Sequence, residues 1–191
     1  MKAFFSETIN ILFIFQCWFE YLPNFSYFCR RNLIKQSNMS NFYFYLKVKP
    51  FIGQWLVHHY GNPVVFPSRS AENACIRHFV SLRPKDWQPA KREDGTVAVA
   101  IPDSGRKRVI SYNYMSKHAM EALEEIIDDT FKMQMWKDLN EMTRRGCTLL
   151  KSVRAWCERN GIDTDYDYTL KMRYQRMRDS YLRHGVDLRK K

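Results

Sequence analysis

The sequence has no C-x-x-C pair, and its five cysteines, Cys17, Cys29, Cys75, Cys147 and Cys157, are odd in number. That excludes a complete intramolecular disulfide framework and the ligand spacing of a zinc ribbon or knuckle, and reduced, mostly buried thiols are expected instead. There is no G-x-S-x-G elbow, no phosphate loop and no G-x-G-x-x-G fingerprint, so no motif points to catalysis and an enzyme is not expected. Long apolar runs are missing as well. In the aromatic first 38 residues, Glu7 and Glu20 interrupt every stretch before it reaches the ~20 residues a membrane helix needs. Lys2 is followed early by Glu7 and by no A-x-A-like site, so a signal peptide is not expected, nor is contact with a membrane. The expected location is the cytoplasm.

Positive charge is plentiful. The 191 residues carry a formal net charge of +11, with 31 Lys and Arg against 20 Asp and Glu. Hydrophobic residues make up 45% and charged residues 27%, ordinary values for a globular chain able to bury a core. An excess of this size narrows the partners to nucleic acid, an acidic protein or an anionic surface.

Composition changes at Met39. Residues 1–38 contain no Gly, Asp, Val or His and are dense in Phe, Ile, Asn and Ser. They read as translated upstream DNA, and Met39 as the natural start. Residues 39–115 read as an α+β portion and 116–191 as a helical portion with a basic C-terminal pair. Residues 41–49 (NFYFYLKVK) have strand composition, and their aromatics on both faces predict a strand covered on both sides. A helix is expected over 51–60, and a second from a Ser68 or Ser70 cap to about Leu82, with Ala71, Ala74, Cys75, His78 and Phe79 on its apolar side. Residues 96–101 (TVAVAI), the turn 102–105 (PDSG) and 107–112 predict a β-hairpin. Arg106-Lys107-Arg108 at its tip reads as a solvated turn, or as a phosphate contact if it shares a face with the last helix.

The remainder is helical. Ser116 caps a long helix to about Leu139, with Met120, Leu123, Ile127, Phe131 and Gln134 in one stripe. Its opposite face, Glu121, Glu124, Glu125, Asp128 and Asp129, reads as solvated acid near the positive end of the helix dipole. The helix over 148–160 has Leu149, Leu150, Val153, Trp156 and Cys157 on one side, and Gly161 ends it in a left-handed C-cap. The last helix spans about 168–184, capped by Asp165 or Asp167, with a stripe of Leu170, Tyr174, Met177 and Tyr181.

Arg173, Arg176 and Arg183 flank that stripe on one side, and Lys171 and Arg178 on the other. From Tyr168 to Lys191 there are eight basic residues, including Arg189, Lys190 and Lys191, against Asp179 and Asp187. Two helices, a glycine turn and a basic second helix outline a helix-turn-helix, although the connector is longer than a tight turn. Arg173 and Arg176 would then meet base edges or phosphates, Lys171, Arg178 and Arg183 would support them, and Lys151 and Arg154 would meet the backbone of double-stranded DNA. The competing expectation is a helical hairpin packed on the acidic helix, its arginine stems covering apolar surface.

Two other constellations are weak. Asp163-x-Asp165-x-Asp167 lacks the glycine and glutamate of a calcium loop, with Tyr168 and Tyr174 in those places. His58, His59, Cys75 and His78 match no metal-ligand spacing. No metal or other cofactor is expected. Phe42 to Tyr45 beside Lys47 and Lys49 could stack RNA bases, a weaker reading than a covered strand.

From Met39 the text MSNFYFYLKVKPFIGQWLVHHYGNPVVFPSRSAENACIRHF, with the closing AWCERNGIDTDYDYTLKMRYQRMRDSYLRHGVDL, resembles an uncharacterised family of prophage-like and mobile elements of gut anaerobes. The resemblance covers nearly everything after Met39 and transfers no catalytic residue. It implies a DNA-handling or regulatory setting by association. The expectation overall is an α+β protein with a small sheet and two helices in its first half, then three helices. It would act as a DNA-binding accessory or regulatory protein. The alternative is a non-enzymatic interaction or structural component that meets an acidic partner or a second copy of itself.

Overall fold

A computed structural model describes residues 42–88 and 93–186. The proposed extension 1–38, the start at Met39 and the basic tail Arg189-Lys190-Lys191 lie outside the described residues. The described chain is α+β, with two helices in the first half and three in the second, as the sequence predicts.

Strand β1 (Tyr43–Lys47) is followed by helix α1 (Pro50–Tyr60). Pro50 sits in the first turn of α1, where its missing N–H costs nothing, and the helix starts without a side-chain cap. Helix α2 (Ala71–Phe79) is capped by Ser70, whose Oγ accepts from Asn73 N at 3.1 Å. Strand β2 (Ser81–Leu82), strand β3 (Thr96–Ala100) and strand β4 (Tyr112–Tyr114) follow. Helix α3 (Lys117–Arg144) starts at Ser116, as expected, and runs beyond Leu139. Helix α4 (Leu149–Arg159), a 3-10 turn (Thr164–Tyr166) and helix α5 (Asp167–Arg183) complete the chain.

The predicted 96–112 hairpin does not form. β3 is a strand, but it pairs antiparallel with β1, from Tyr43 opposite Ala100 to Lys47 opposite Thr96. This register places Val99 against Phe44 and Val97 against Leu46, all buried, and such apolar cross-strand pairs outweigh a local return strand. The turn chemistry of 102–105 is real but closes a wider loop. Asp103 Oδ1 accepts from Ser104 N and Val109 N, and Ser104 Oγ accepts from Lys107 N. The chain then reaches β4, which pairs with β2. Nor is β1 covered on both sides: Phe44 and Leu46 are buried, whereas Tyr43 is 50% exposed and Lys47 is exposed.

α2 turns a different face inward from the expected one. Glu72, Asn73, Cys75 and Ile76 are buried, and His78 and Phe79 are exposed. The two polar residues are tolerated inside because they have partners. Thr130 Oγ1 donates to Glu72 Oε1 at 2.6 Å, and Asn73 Nδ2 donates to the Phe66 carbonyl at 3.1 Å.

Helix α3 is the centre of the fold. Its buried residues are Ala119, Leu123, Ile127, Phe131, Met135 and Leu139, so Met135 takes the place expected for Gln134. Steps of four residues advance by about 40° more than a full turn each, so this stripe winds around the helix. The winding lets several elements pack on α3 in succession. α2 meets it through Glu72–Thr130, α1 through Phe51 and Trp55 on Phe131, and α4 through Trp156 on the same ring. One core thus runs from Phe44 to Tyr174, and the α+β and helical portions share it. No helix among the described residues is long and apolar enough to cross a membrane.

Candidate nucleic-acid interface

The C-terminal pair is built into this core rather than appended to it. α4 buries Ser152, Val153, Trp156 and Cys157, with Leu150 exposed contrary to expectation. Burial pushes the Cys157 thiol up to about 11, with Asp167 and Glu158 adding to the rise, so it stays protonated. Asp138 on α3 accepts from Trp156 Nε1 at 2.9 Å and from Arg159 Nη2 at 2.6 Å.

The connector between α4 and α5 is docked on α1. His59 Nε2 lies 2.9 Å from Asn160 Oδ1, and Asp163 N donates to Gln54 Oε1 at 2.9 Å. Burial lowers the His59 pKa, with the Asn160 hydrogen bond acting in the opposite direction. Gly161 has φ +65°, and a Cβ there would meet the His58 ring at 2.5 Å, so both conformation and space require glycine. His58 and His59 therefore have packing roles, and His78 stacks edge-on against Phe79. Among the described residues no three His, Cys, Asp or Glu gather as a metal site. The Asp163–Asp167 run is spent on local structure. Asp163 caps the 3-10 turn by accepting from Asp165 N, and Asp167 opens α5, paired with Arg154 Nε at 2.8 Å.

The seven expected DNA contacts divide into three groups. Arg173 is the correction. Its side chain is only 15% exposed, and Nη2 donates to both carboxylate oxygens of Asp128 at 2.6 Å. Its guanidinium carbon lies 5.8 Å from the Phe51 ring centroid and 5.7 Å from that of Phe131. This is an ion pair with cation–π support, and it faces the protein. It also removes Asp128 from the expected solvated acidic face. Burial alone would raise that carboxyl, but the hydrogen bonds of Arg173 and Lys132 and the charges of Arg173 and Lys49 hold it at about 2.

Arg154 and Arg178 are partly committed. Arg154 keeps its ion pair with Asp167 while 59% exposed, which is worth little and easily exchanged. Arg178 is half-buried, with Nη2 at 3.4 Å from Asp179. The third group is outward. Lys151 on α4 and Arg176 and Arg183 on α5 are exposed, and Lys171 is half-exposed. Arg176 and Arg183 are seven residues apart, which places them on one line of the helix about 10 Å from each other. Arg183 Nε reaches back to the Asp179 carbonyl at 3.3 Å.

α5 is anchored only in its first half. Leu170 and Tyr174 are its buried residues, and every residue from Tyr181 to Val186 is exposed. The second half leans on α3 through Trp136, which stacks on Tyr174 at 4.9 Å and meets Tyr181 at 5.5 Å. Sequence reasoning missed Trp136, Asp128 and Lys132 as the supports of this helix. The available signal was that all three flank the buried stripe of α3 on one side. In comparisons with protein families, curated proteins and solved structures, the chain matches none.

Proposed function

We propose that the protein binds nucleic acid, double-stranded DNA by preference, as a non-enzymatic accessory or regulatory protein, with the outward face of α5 as a contact. The observation that supports this is the alignment of Arg176 and Arg183 on one line of α5, exposed in the half of the helix beyond its buried anchors Leu170 and Tyr174. A helix presenting guanidinium groups outward suits phosphate, because the fork geometry matches two oxygens at once. Lys151, Lys171 and Arg178 extend the positive field, and Arg173 holds the helix in place. The mobile-element setting rests on the family resemblance alone.

The test is fluorescence anisotropy with a labelled 20-base-pair duplex over a range of salt. Wild type is expected to bind with a steep salt dependence, and Arg176→Ala/Arg183→Ala to lower the slope by about 2. Equal slopes for the two proteins would remove α5 from the interface. A second reading, docking to an acidic protein, is favoured by Tyr181, Leu182 and Val186, which lie exposed among these arginines. It takes over if wild type binds no DNA at low salt.

A further inference from the structure

The loop between β3 and β4 carries Arg106-Lys107-Arg108, and its middle residue has a specific role. Lys107 Nζ donates to the carbonyls of Arg77, His78 and Val80 at 2.9, 2.9 and 2.8 Å. These are the orphan acceptors at the C-terminus of α2, where the helix dipole is negative, so a single ammonium satisfies and neutralises the helix end. The bond also fixes where the loop lies. Arg83 N donates to the Ser111 carbonyl at 3.2 Å, and β2 pairs with β4, so the loop is tied to the α2–β2 segment at two points.

One consequence is that two arginine-bearing segments are held against each other. Arg77 and Arg83 stand on the α2–β2 segment and Arg106 and Arg108 on the loop tied to it, and all four are exposed. Arg77 donates to the Ser68 carbonyl, and none of the four has an ion pair among the described residues. The acids of the two segments do not neutralise them. Glu72 is buried on the opposite side of α2 with Thr130, and Asp103 spends an oxygen on two backbone amides of the loop. Asp86 stands in the stretch after Arg83 without an ion pair among the described residues. Lys107 already answers the α2 dipole, so Arg83, Arg106 and Arg108 are not needed for that.

We propose that this surface is a second nucleic-acid contact, in which Arg83, Arg106 and Arg108 hold phosphates independently of α5. Like charges gathered without an anion are unfavourable until phosphate arrives, and guanidinium is the side chain best matched to it. The proposal rests on the nucleic-acid reading given above but not on α5. The contact is to backbone, so it serves any sequence, and a strand engaging both surfaces gains a steeper salt dependence than either alone provides.

The experiment compares wild type, Arg83→Ala/Arg106→Ala/Arg108→Ala and Arg176→Ala/Arg183→Ala, using labelled 20-base-pair duplex and the matching single strand. The loop variant is expected to bind about tenfold more weakly near 0.1 M salt, with a slope lower by about 2 to 3. Its Lys counterpart, Arg83→Lys/Arg106→Lys/Arg108→Lys, keeps the charge and is expected to keep most of the slope, which separates lost phosphate contacts from lost folding. If the loop variant binds as wild type does while the α5 variant weakens, the inference is overturned and α5 stands alone. If the loop variant weakens while the α5 variant does not, the inference stands and α5 is excluded. If wild type binds neither probe at low salt, both are overturned.

Discussion

The two halves of α5 share one sequence character and have opposite fates. Up to Tyr174 the helix is anchored: Leu170 is fully buried, Tyr174 stacks on Trp136, and Arg173 is locked to Asp128. Beyond Tyr174 no residue is buried, although Tyr181, Leu182 and three arginines continue the same pattern. The difference shows that a basic amphipathic stripe does not identify an interface. Its cations are divided by which neighbouring helix stands within reach, and only those beyond that reach remain for a partner.

The sharpest way to break this comparison is to cut one leucine from each half. Leu170→Ala removes a fully buried side chain and is expected to cost about 3 kcal/mol. Leu182→Ala, at 38% exposure, is expected to stay within about 0.5 kcal/mol. Denaturant melts of the two variants check this, and equal losses would mean that the second half is packed as firmly as the first.

Next in size is the ion pair. Arg173→Ala leaves Asp128 half-buried without its main partner and strips a cation from two aromatic rings, at an expected cost of about 2 to 3 kcal/mol. The pH dependence has a definite sign. Asp128 is held at about 2 in the fold, below the ordinary carboxylate value of about 4. Its stabilisation is therefore fully present above about pH 4 and is lost as pH falls towards 2. The gap in melting temperature between wild type and Arg173→Ala should be wide at pH 6 and should close over that acidic window. A gap that holds constant to pH 2 would assign the loss to packing rather than to the pair.

Much of the fold was legible because periodicity reports burial. The α+β class, the Ser70 and Ser116 caps, the Gly161 terminus and the first half of the expected Leu170, Tyr174, Met177 and Tyr181 stripe follow from local pattern, whereas Tyr181 is exposed. The failures share a different cause, dependence on a distant residue. β3 is expected from local pattern to pair with 107–112, and the burial of Phe44 and Leu46 opposite Val99 and Val97 decides for β1 instead. The inward face of α2 includes Glu72, which no hydropathy pattern would bury without knowing that Thr130 lies opposite. Arg173 could not be told from Arg176 by composition. It lies beside Leu170 and Tyr174 on the helical wheel, which hints at shelter, but its partner Asp128 is 45 residues away and sat in a run that looked solvated. Lys107 lies in what reads as a solvated turn, and the three carbonyls it meets at the end of α2 are 27 to 30 residues away.

The smallest expected effect on stability isolates the comparison most cleanly. Arg173 and Arg176 are three residues apart, identical in type, and differ only in what faces them. Arg176→Ala removes an exposed side chain with no ion pair among the described residues, so its melting temperature should stay within about 2 °C of wild type. On the proposed reading it should lower the salt slope of DNA binding by about 1. Arg173→Ala should do the reverse, losing stability while leaving the slope unchanged at temperatures where it is folded. If Arg173→Ala instead lowers the slope as much as Arg176→Ala does, the guanidinium must leave Asp128 when DNA binds, and the inward half of α5 would belong to the interface after all.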